Sequence, residues 1–201
     1  LDEREVELDD RTLVIADRDR ALAIAGVMGG IDSGVQAGTT DLFLECASFA
    51  PEVIAGKARK YAMHTDSAHR FERGVDPFLQ HRAMQRATRL LLDIAGGQAG
   101  PVIEVSAPEQ LPERACITLR KARIERVLGM LPESGEVADI LGRLGMAVDA
   151  DDAGWQVTPP TYRFDIAIEA DLIEEIGRVY GYDRLQLQPM AGALEIQPLS
   201  E

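Results

Sequence analysis

No hydrophobic core can run through Ser106-Ala-Pro-Glu-Gln-Leu-Pro-Glu113, and this constrains the fold more than any other stretch. Its two prolines fix φ and remove backbone donors, and its lone leucine sets no helical or strand period. The apolar patterning changes across it. The 201 residues are therefore expected to form two domains, 1–106 and 114–186, joined by a linker at 107–113. A Pro/Gln-rich tail, 187–201, reads as a linker toward a further domain. The expected fold class is α+β, with a mixed-sheet first domain and a small second domain carrying a two-stranded wing.

Within the first domain, Thr12–Ala16 and Ala21–Ala25 are apolar runs joined by Asp17-Arg-Asp-Arg20, which predicts a hairpin. The second strand enters Gly26-Val-Met-Gly-Gly30, where glycine permits a tight turn and close backbone approach. Asp41–Ala47 reads as a buried strand holding a buried Cys46 thiol, and Val102–Val105 as another strand. Pro51–Ala62 reads as one helix. A longer helix is predicted with Asp76 as cap, Pro77 at its first position and Gly96-Gly97 at its end. Phe78, Met84, Ala87, Leu91 and Ile94 line one of its faces, and Arg82, Arg86 and Arg89 another.

In the second domain the pattern gives a strand at Ile117–Leu119, helices at Lys121–Leu128, Glu136–Leu144 and Ala170–Tyr180, and a hairpin wing at Ala147–Asp149 and Trp155–Thr158. Trp155, Phe164, Tyr180 and Tyr182 are assigned to its core.

Three polar features stand out. His64-Thr-Asp-Ser-Ala-His-Arg-Phe-Glu-Arg-Gly-Val-Asp-Pro77 is dense in hydrogen-bonding groups and shows no clear helical period. Its His64 and His69 have no zinc-like spacing, and Ser67–His69 lacks a glycine elbow, so structural hydrogen bonding is the expectation there. Glu45 interrupts the apolar run Leu42-Phe-Leu-Glu-Cys-Ala47. It either accepts a hydrogen bond from a ligand hydroxyl, or faces water or an arginine such as Arg70. Asp165, Asp171, Glu174 and Glu175 are the third feature. On a helix from Ala170 the last three share a face, suited to a hard cation or to an acidic first turn with Glu174 paired to Arg178.

The net charge of −13 argues against non-specific nucleic-acid binding by the chain as a whole. Between Lys57 and Arg89, however, eight basic residues face three acidic ones, so that window is +5 and the remainder −18. Such a window is a solvated helix face or a surface that steers a polyanion. No apolar stretch reaches membrane-spanning length, no signal peptide is visible, and two distant cysteines make no disulfide framework. A soluble, reducing, intracellular setting is the expectation. Leu1-Asp-Glu-Arg-Glu, without an initiator Met, reads as the middle of a longer protein.

Gly26-Val-Met-Gly-Gly30, Leu44-Glu-Cys-Ala-Ser-Phe49, His64–Pro77 and Gly96-Gly97 together resemble the editing domain of bacterial phenylalanyl-tRNA synthetase β subunits. Pro160-Thr-Tyr-Arg-Phe-Asp165 and Asp171–Asp183 resemble the small winged-helix-like domain that follows it there, and order and spacing agree across residues 12 to 188. The resemblance implies an α2β2 ligase of the cytoplasm that uses ATP and Mg2+ to charge tRNA-Phe, with no membrane or DNA role. Residues 1–106 would be the C-terminal portion of the domain that hydrolyses mischarged Tyr-tRNA. Glu45 would read the tyrosine hydroxyl, and Thr65, Gly29 and Ser67 would shape the pocket. The resemblance assigns no catalytic residue in this segment. It places part of the pocket, including a histidine, upstream of Leu1, so editing by this segment alone is expected to be weak or absent. Asp165, Asp171, Glu174 and Glu175 would bind Mg2+ at the contact with the α subunit, while ATP would be bound elsewhere in the enzyme. The alternatives are a stand-alone trans-editing hydrolase and a non-catalytic scaffold joining tRNA to the α subunit.

Overall fold

A computed structural model describes residues 3–185, so the tail assigned as a linker at 187–201 lies outside the described residues. The fold is α+β. The chain divides into two compact units, one reaching to residue 113 and including 161–164, the other 114–160 with 165 onward.

The first unit opens with a three-stranded antiparallel sheet, β1 (Val14–Ala16), β2 (Ala21–Ile24) and β3 (Met28–Gly29), in that order. The β1–β2 turn forms because Asp17 accepts the backbone N–H groups of Asp19 and Arg20, both at 2.8 Å, which pulls its carboxyl below the usual range. Gly26, at φ +67°, turns the chain from β2 into β3. A Cβ there would lie 3.2–3.3 Å from side-chain atoms of Phe71, Ile54 and Phe49, which would have to give by a few tenths of an ångström, and the left-handed backbone itself favours glycine.

The expected helix at 51–62 is two short ones, α1 (Pro51–Ile54) and α2 (Lys57–Lys60), because Gly56 between them is left-handed at φ +75°. The His64–Pro77 segment contains a helix its periodicity does not announce, α3 (Asp66–Phe71), capped by Thr65 Oγ1 accepting the Ala68 N–H. The long helix α4 runs from Gln80 to Ala95 and ends at Gly96. Asp76 caps a turn before it by accepting the Phe78 N–H at 3.0 Å, and Pro77 sits in that turn rather than in the helix. The unit's core is Ile24, Val27, Ile54, Ala58, Tyr61, Met63 and Ala68.

Two expected strands are absent. Residues 41–47 and 102–105 have no regular structure. Phe43 is 89% exposed and Val105 91%, and Cys46 is half-buried rather than buried. A β-branched or alternating run becomes a strand only where another strand takes its backbone hydrogen bonds, and neither segment has such a partner among the described residues.

The second unit follows the sequence closely. β4 (Ile117–Arg120) leads into α5 (Lys121–Leu128) and α6 (Ser134–Arg143), then β5 (Ala147–Ala150), β6 (Gly154–Thr158) and α7 (Glu169–Tyr180). Its antiparallel sheet has the order β4-β6-β5, with Leu119 opposite Trp155. Asp151 turns the β5–β6 hairpin by accepting the N–H groups of Ala153 and Gly154 at 2.8 and 2.7 Å. Gly154 is required at the hairpin's end, since a Cβ would fall 1.9 Å from the Leu119 carbonyl oxygen. Leu119, Ile124, Val137, Leu141, Trp155, Val157, Leu172 and Ile176 form the core. Of the aromatic residues expected there, only Trp155 is deeply buried; Phe164 and Tyr182 are more than half exposed, and residues 161–164 group with the first unit. Ring size marks a residue that can pack, not the element it packs against.

Candidate functional site

The Gly26–Gly30 turn and the first residues of α3 meet at one locus. Thr65 Oγ1 donates to the Val27 carbonyl at 2.9 Å, and Ser67 Oγ donates to the Gly26 carbonyl at 3.0 Å. Thr65 is half-buried and Ser67 exposed. Val27 N–H closes the turn on the Ile24 carbonyl at 3.0 Å, and Gly30 N–H bonds the Leu22 carbonyl at 2.7 Å. Gly29 stands between these anchors, paired with Ala23 across β2 and β3.

Gly29 also lines a cavity of about 540 Å³ over the sheet. Val6, Leu22, Ile24, Met28 and Met63 give it an apolar floor, and Glu3, Arg4 and Glu5 are among its polar lining. Its size is within the range of small-molecule pockets. Glu45, Thr65 and Ser67 are not among its lining residues.

Glu45 lies on the irregular segment after Leu44 and is exposed as a residue, yet neighbouring atoms remove enough water from its carboxyl to raise its pKa. The same loss of water, with the Glu45 charge as the lesser cause, raises the Cys46 thiol. Phe49, four residues on, ties this segment to the turn. Its ring centroid is 5.1 Å from that of Phe71 in α3, and it lies beside Gly26. Gln80 at the start of α4 donates to the Ala47 carbonyl at 3.3 Å. The structure thus joins Thr65 and Ser67 directly to the glycine turn, carries Gly29 on it, and holds the Glu45 segment near it through Phe49.

The basic window is partly neutralised. Lys60 pairs with Asp9, which lowers the Asp9 carboxyl and raises the Lys60 ammonium. Arg73 bonds Glu72 and the His69 ring, and Arg89 pairs with Asp93. Arg59, Arg70, Arg82 and Arg86 are exposed.

The acidic quartet of the second unit is divided in its duties. Asp171 Oδ2 accepts the N–H groups of Ala167 and Ile168, both at 2.9 Å, and so caps α7. Glu175 is 8% exposed and is the residue that pairs with Arg178, at 2.6 Å, whereas the Glu174 that the spacing offers to Arg178 is exposed. Asp165 is exposed. Four carboxylates are the donor chemistry a hard divalent cation prefers. Among the described residues, no three His, Cys, Asp or Glu side chains are grouped to hold a metal by themselves. Glu169 adds a tie that the sequence does not announce. It accepts the Arg120 backbone N–H at 2.9 Å and its guanidinium at 2.6 Å, joining the end of β4 to the start of α7. Only its place in the first turn of α7 hinted at this.

The chain matches two domain families, the B3/4 domain over residues 1–96 and the tRNA synthetase B5 domain over residues 117–182. It is 59% identical over its whole length to a phenylalanine–tRNA ligase β subunit of Methylococcus capsulatus, and 58% identical over 99% of its length to that of Nitrosococcus oceani. The β subunit of Idiomarina loihiensis is 55% identical over the whole chain. The chain spans about a quarter of the length of each of these relatives. Among the described residues, no helix is long and apolar enough to cross a membrane. With two domain families in succession and more than half of its residues shared with each of these subunits, the chain belongs to the phenylalanine–tRNA ligase β-subunit family of bacteria.

Proposed function

We propose that these residues form the part of a phenylalanine–tRNA ligase that hydrolyses mischarged Tyr-tRNA, with the second unit contributing contact to the α subunit. The charging reaction itself, with ATP, belongs to the whole α2β2 enzyme acting in the cytoplasm. The observation that carries this reading is the partly desolvated Glu45 carboxyl, on a segment that Phe49 anchors to the Gly26–Gly30 turn.

An apolar pocket made for phenylalanine cannot strongly reject an isostere with one added hydroxyl. A second site must therefore read that hydroxyl positively. An ionised carboxylate is an acceptor only, and the tyrosine phenol is a donor. A phenylalanyl ester at the same place would leave Glu45 desolvated and without a partner, at a cost of about 1–3 kcal/mol. Gly29 lets the ester's backbone approach β3, and Thr65 and Ser67 bound the site. Water adds to the ester carbonyl carbon, the bond to the terminal ribose oxygen breaks, and tyrosine and uncharged tRNA leave. No side chain of this segment is assigned as the base. Exposed Arg59, Arg70, Arg82 and Arg86 suit the phosphates of the tRNA end.

Asp165, Asp171, Glu174 and Glu175 would hold Mg2+ together with ligands from the α subunit. Bound there, the cation would supply positive charge that offsets the acidic start of α7 at the subunit contact. Until then Asp171 and Glu175 serve α7 and Arg178.

The test is Tyr-tRNA deacylation by the intact synthetase, wild type against Glu45→Ala. Loss of deacylation with phenylalanine charging retained is the expected result. Unchanged deacylation would make Glu45 a structural carboxylate.

A further inference from the structure

We propose that Ser67 is a positioning residue of the editing pocket, acting with Thr65 as a two-point clamp on the turn that presents Gly29. This rests on the editing reading above.

The clamp is built on consecutive peptide groups. The Gly26 carbonyl takes the Ser67 hydroxyl proton and the Val27 carbonyl takes the Thr65 hydroxyl proton, at 3.0 and 2.9 Å. A turn held in the left-handed region at Gly26 has few strand bonds to define it, because β3 is only two residues long. Without the hydroxyls its two carbonyls would bond to water, and the turn would keep only the Val27 and Gly30 amide bonds and the buried Val27 side chain. The hydroxyls tie it further to α3, which is itself fixed through Ala68 in the core and the Phe49–Phe71 contact. What the clamp sets is therefore the position of Gly29, two residues beyond Val27.

The clamp has a chemical consequence. Each hydroxyl owns one proton, and both protons are spent on the turn. Thr65 also accepts the Ala68 N–H at 3.0 Å. Neither side chain has a donor left for a substrate, so at this locus Thr65 and Ser67 can only accept. These two side chains thus favour a substrate group that donates, and supply no proton to one that only accepts.

The experiment uses the intact synthetase with Ser67→Ala and Ser67→Thr, read in two ways. The first is hydrogen–deuterium exchange of the peptide spanning Ala25–Ile31; the second is the kcat and KM of Tyr-tRNA deacylation. Loss of one such hydrogen bond should speed exchange of the Val27 and Gly30 amides by roughly three- to ten-fold. The deacylation kcat should fall by a similar factor with KM for the tRNA unchanged, and Ser67→Thr, which keeps the hydroxyl, should restore both. Unchanged exchange in Ser67→Ala overturns the clamp. Faster exchange with wild-type kcat, in an enzyme whose Glu45→Ala variant has lost deacylation, overturns the positioning role. Failure of the editing reading would show separately, as deacylation insensitive to Glu45→Ala, and the clamp on the turn would then stand or fall on exchange alone.

Discussion

Helices α4 and α7 carry the same kind of amphipathic signal and meet opposite fates. In α7, twelve residues bury Leu172, Ile173, Glu175, Ile176 and Gly177. In α4, sixteen residues bury none, and Ile94 is 83% exposed. An apolar stripe says that a helix needs cover, not where the cover is. For α7 it lies within the same unit, on β4, α5 and α6. For α4, whose Met84, Leu91 and Leu92 are half-buried, the described residues supply it only in part, and the apolar runs around Phe43 and Val105 are left largely exposed. The candidate editing residues all belong to the unit whose apolar surface is less covered, and the proposed clamp of Thr65 and Ser67 gives local order where a core gives less.

The largest expected effect tests this contrast directly. Trp155→Ala should cost about 3–5 kcal/mol in urea unfolding of the chain, whereas Ile94→Ala should stay within about 0.5 kcal/mol. A comparable cost for Ile94→Ala would mean that α4 is covered after all. Next comes Gly26→Ala, which forces a Cβ into a left-handed position already crowded by Phe71, Ile54 and Phe49. A loss of about 1–3 kcal/mol is expected, confined to the first unit's transition. A neutral result would show that the turn relaxes easily.

Two carboxyls sharpen the comparison through pH. Glu169, 18% exposed at its side chain, is held below its ordinary pKa chiefly by the Arg120 hydrogen bond. The folded state binds its proton less tightly than the unfolded chain does. Its contribution is therefore present above the unfolded pKa and is lost as pH falls through the folded one. Glu169→Gln should cost about 1 kcal/mol at neutral pH and much less in acid. Glu45 has the opposite sign. Its raised pKa means that the folded state binds the proton more tightly, so stability falls as pH rises from the unfolded pKa through the folded one. Glu45→Gln should thus be neutral or stabilising at pH 7, by no more than about 0.5 kcal/mol. Carboxyl titration by NMR should show the two groups moving in opposite directions; movement in the same direction would contradict this assignment.

The same contrast decides how much of the molecule is legible in its sequence. In the second unit every predicted strand and helix is present to within two residues at each end, because the partners of each apolar face lie in the same short segment. In the first, the β1–β2 hairpin and α4 are legible, since turn residues and a helical period sustained over sixteen residues are local signals. The strands at 41–47 and 102–105 fail because a strand is defined by its neighbour. Helix α3 is missed because six residues carry too little periodicity, although a Thr three positions before an alanine amide was its cap signal. At the site, Glu45 is conspicuous as a charge in an apolar run. The division of the acidic quartet is not, since spacing could not say that Asp171 turns back to cap its helix or that Glu175, not Glu174, takes Arg178.

The most direct test of the account is the ratio of Tyr-tRNA to Phe-tRNA deacylation by the intact synthetase, measured side by side for wild type and Glu45→Ala. If Glu45 reads the phenol, the variant loses hydrolysis of the tyrosyl ester while the slow phenylalanyl rate holds, and the ratio collapses toward one. An unchanged ratio, with both rates lowered together or neither lowered, would contradict the account.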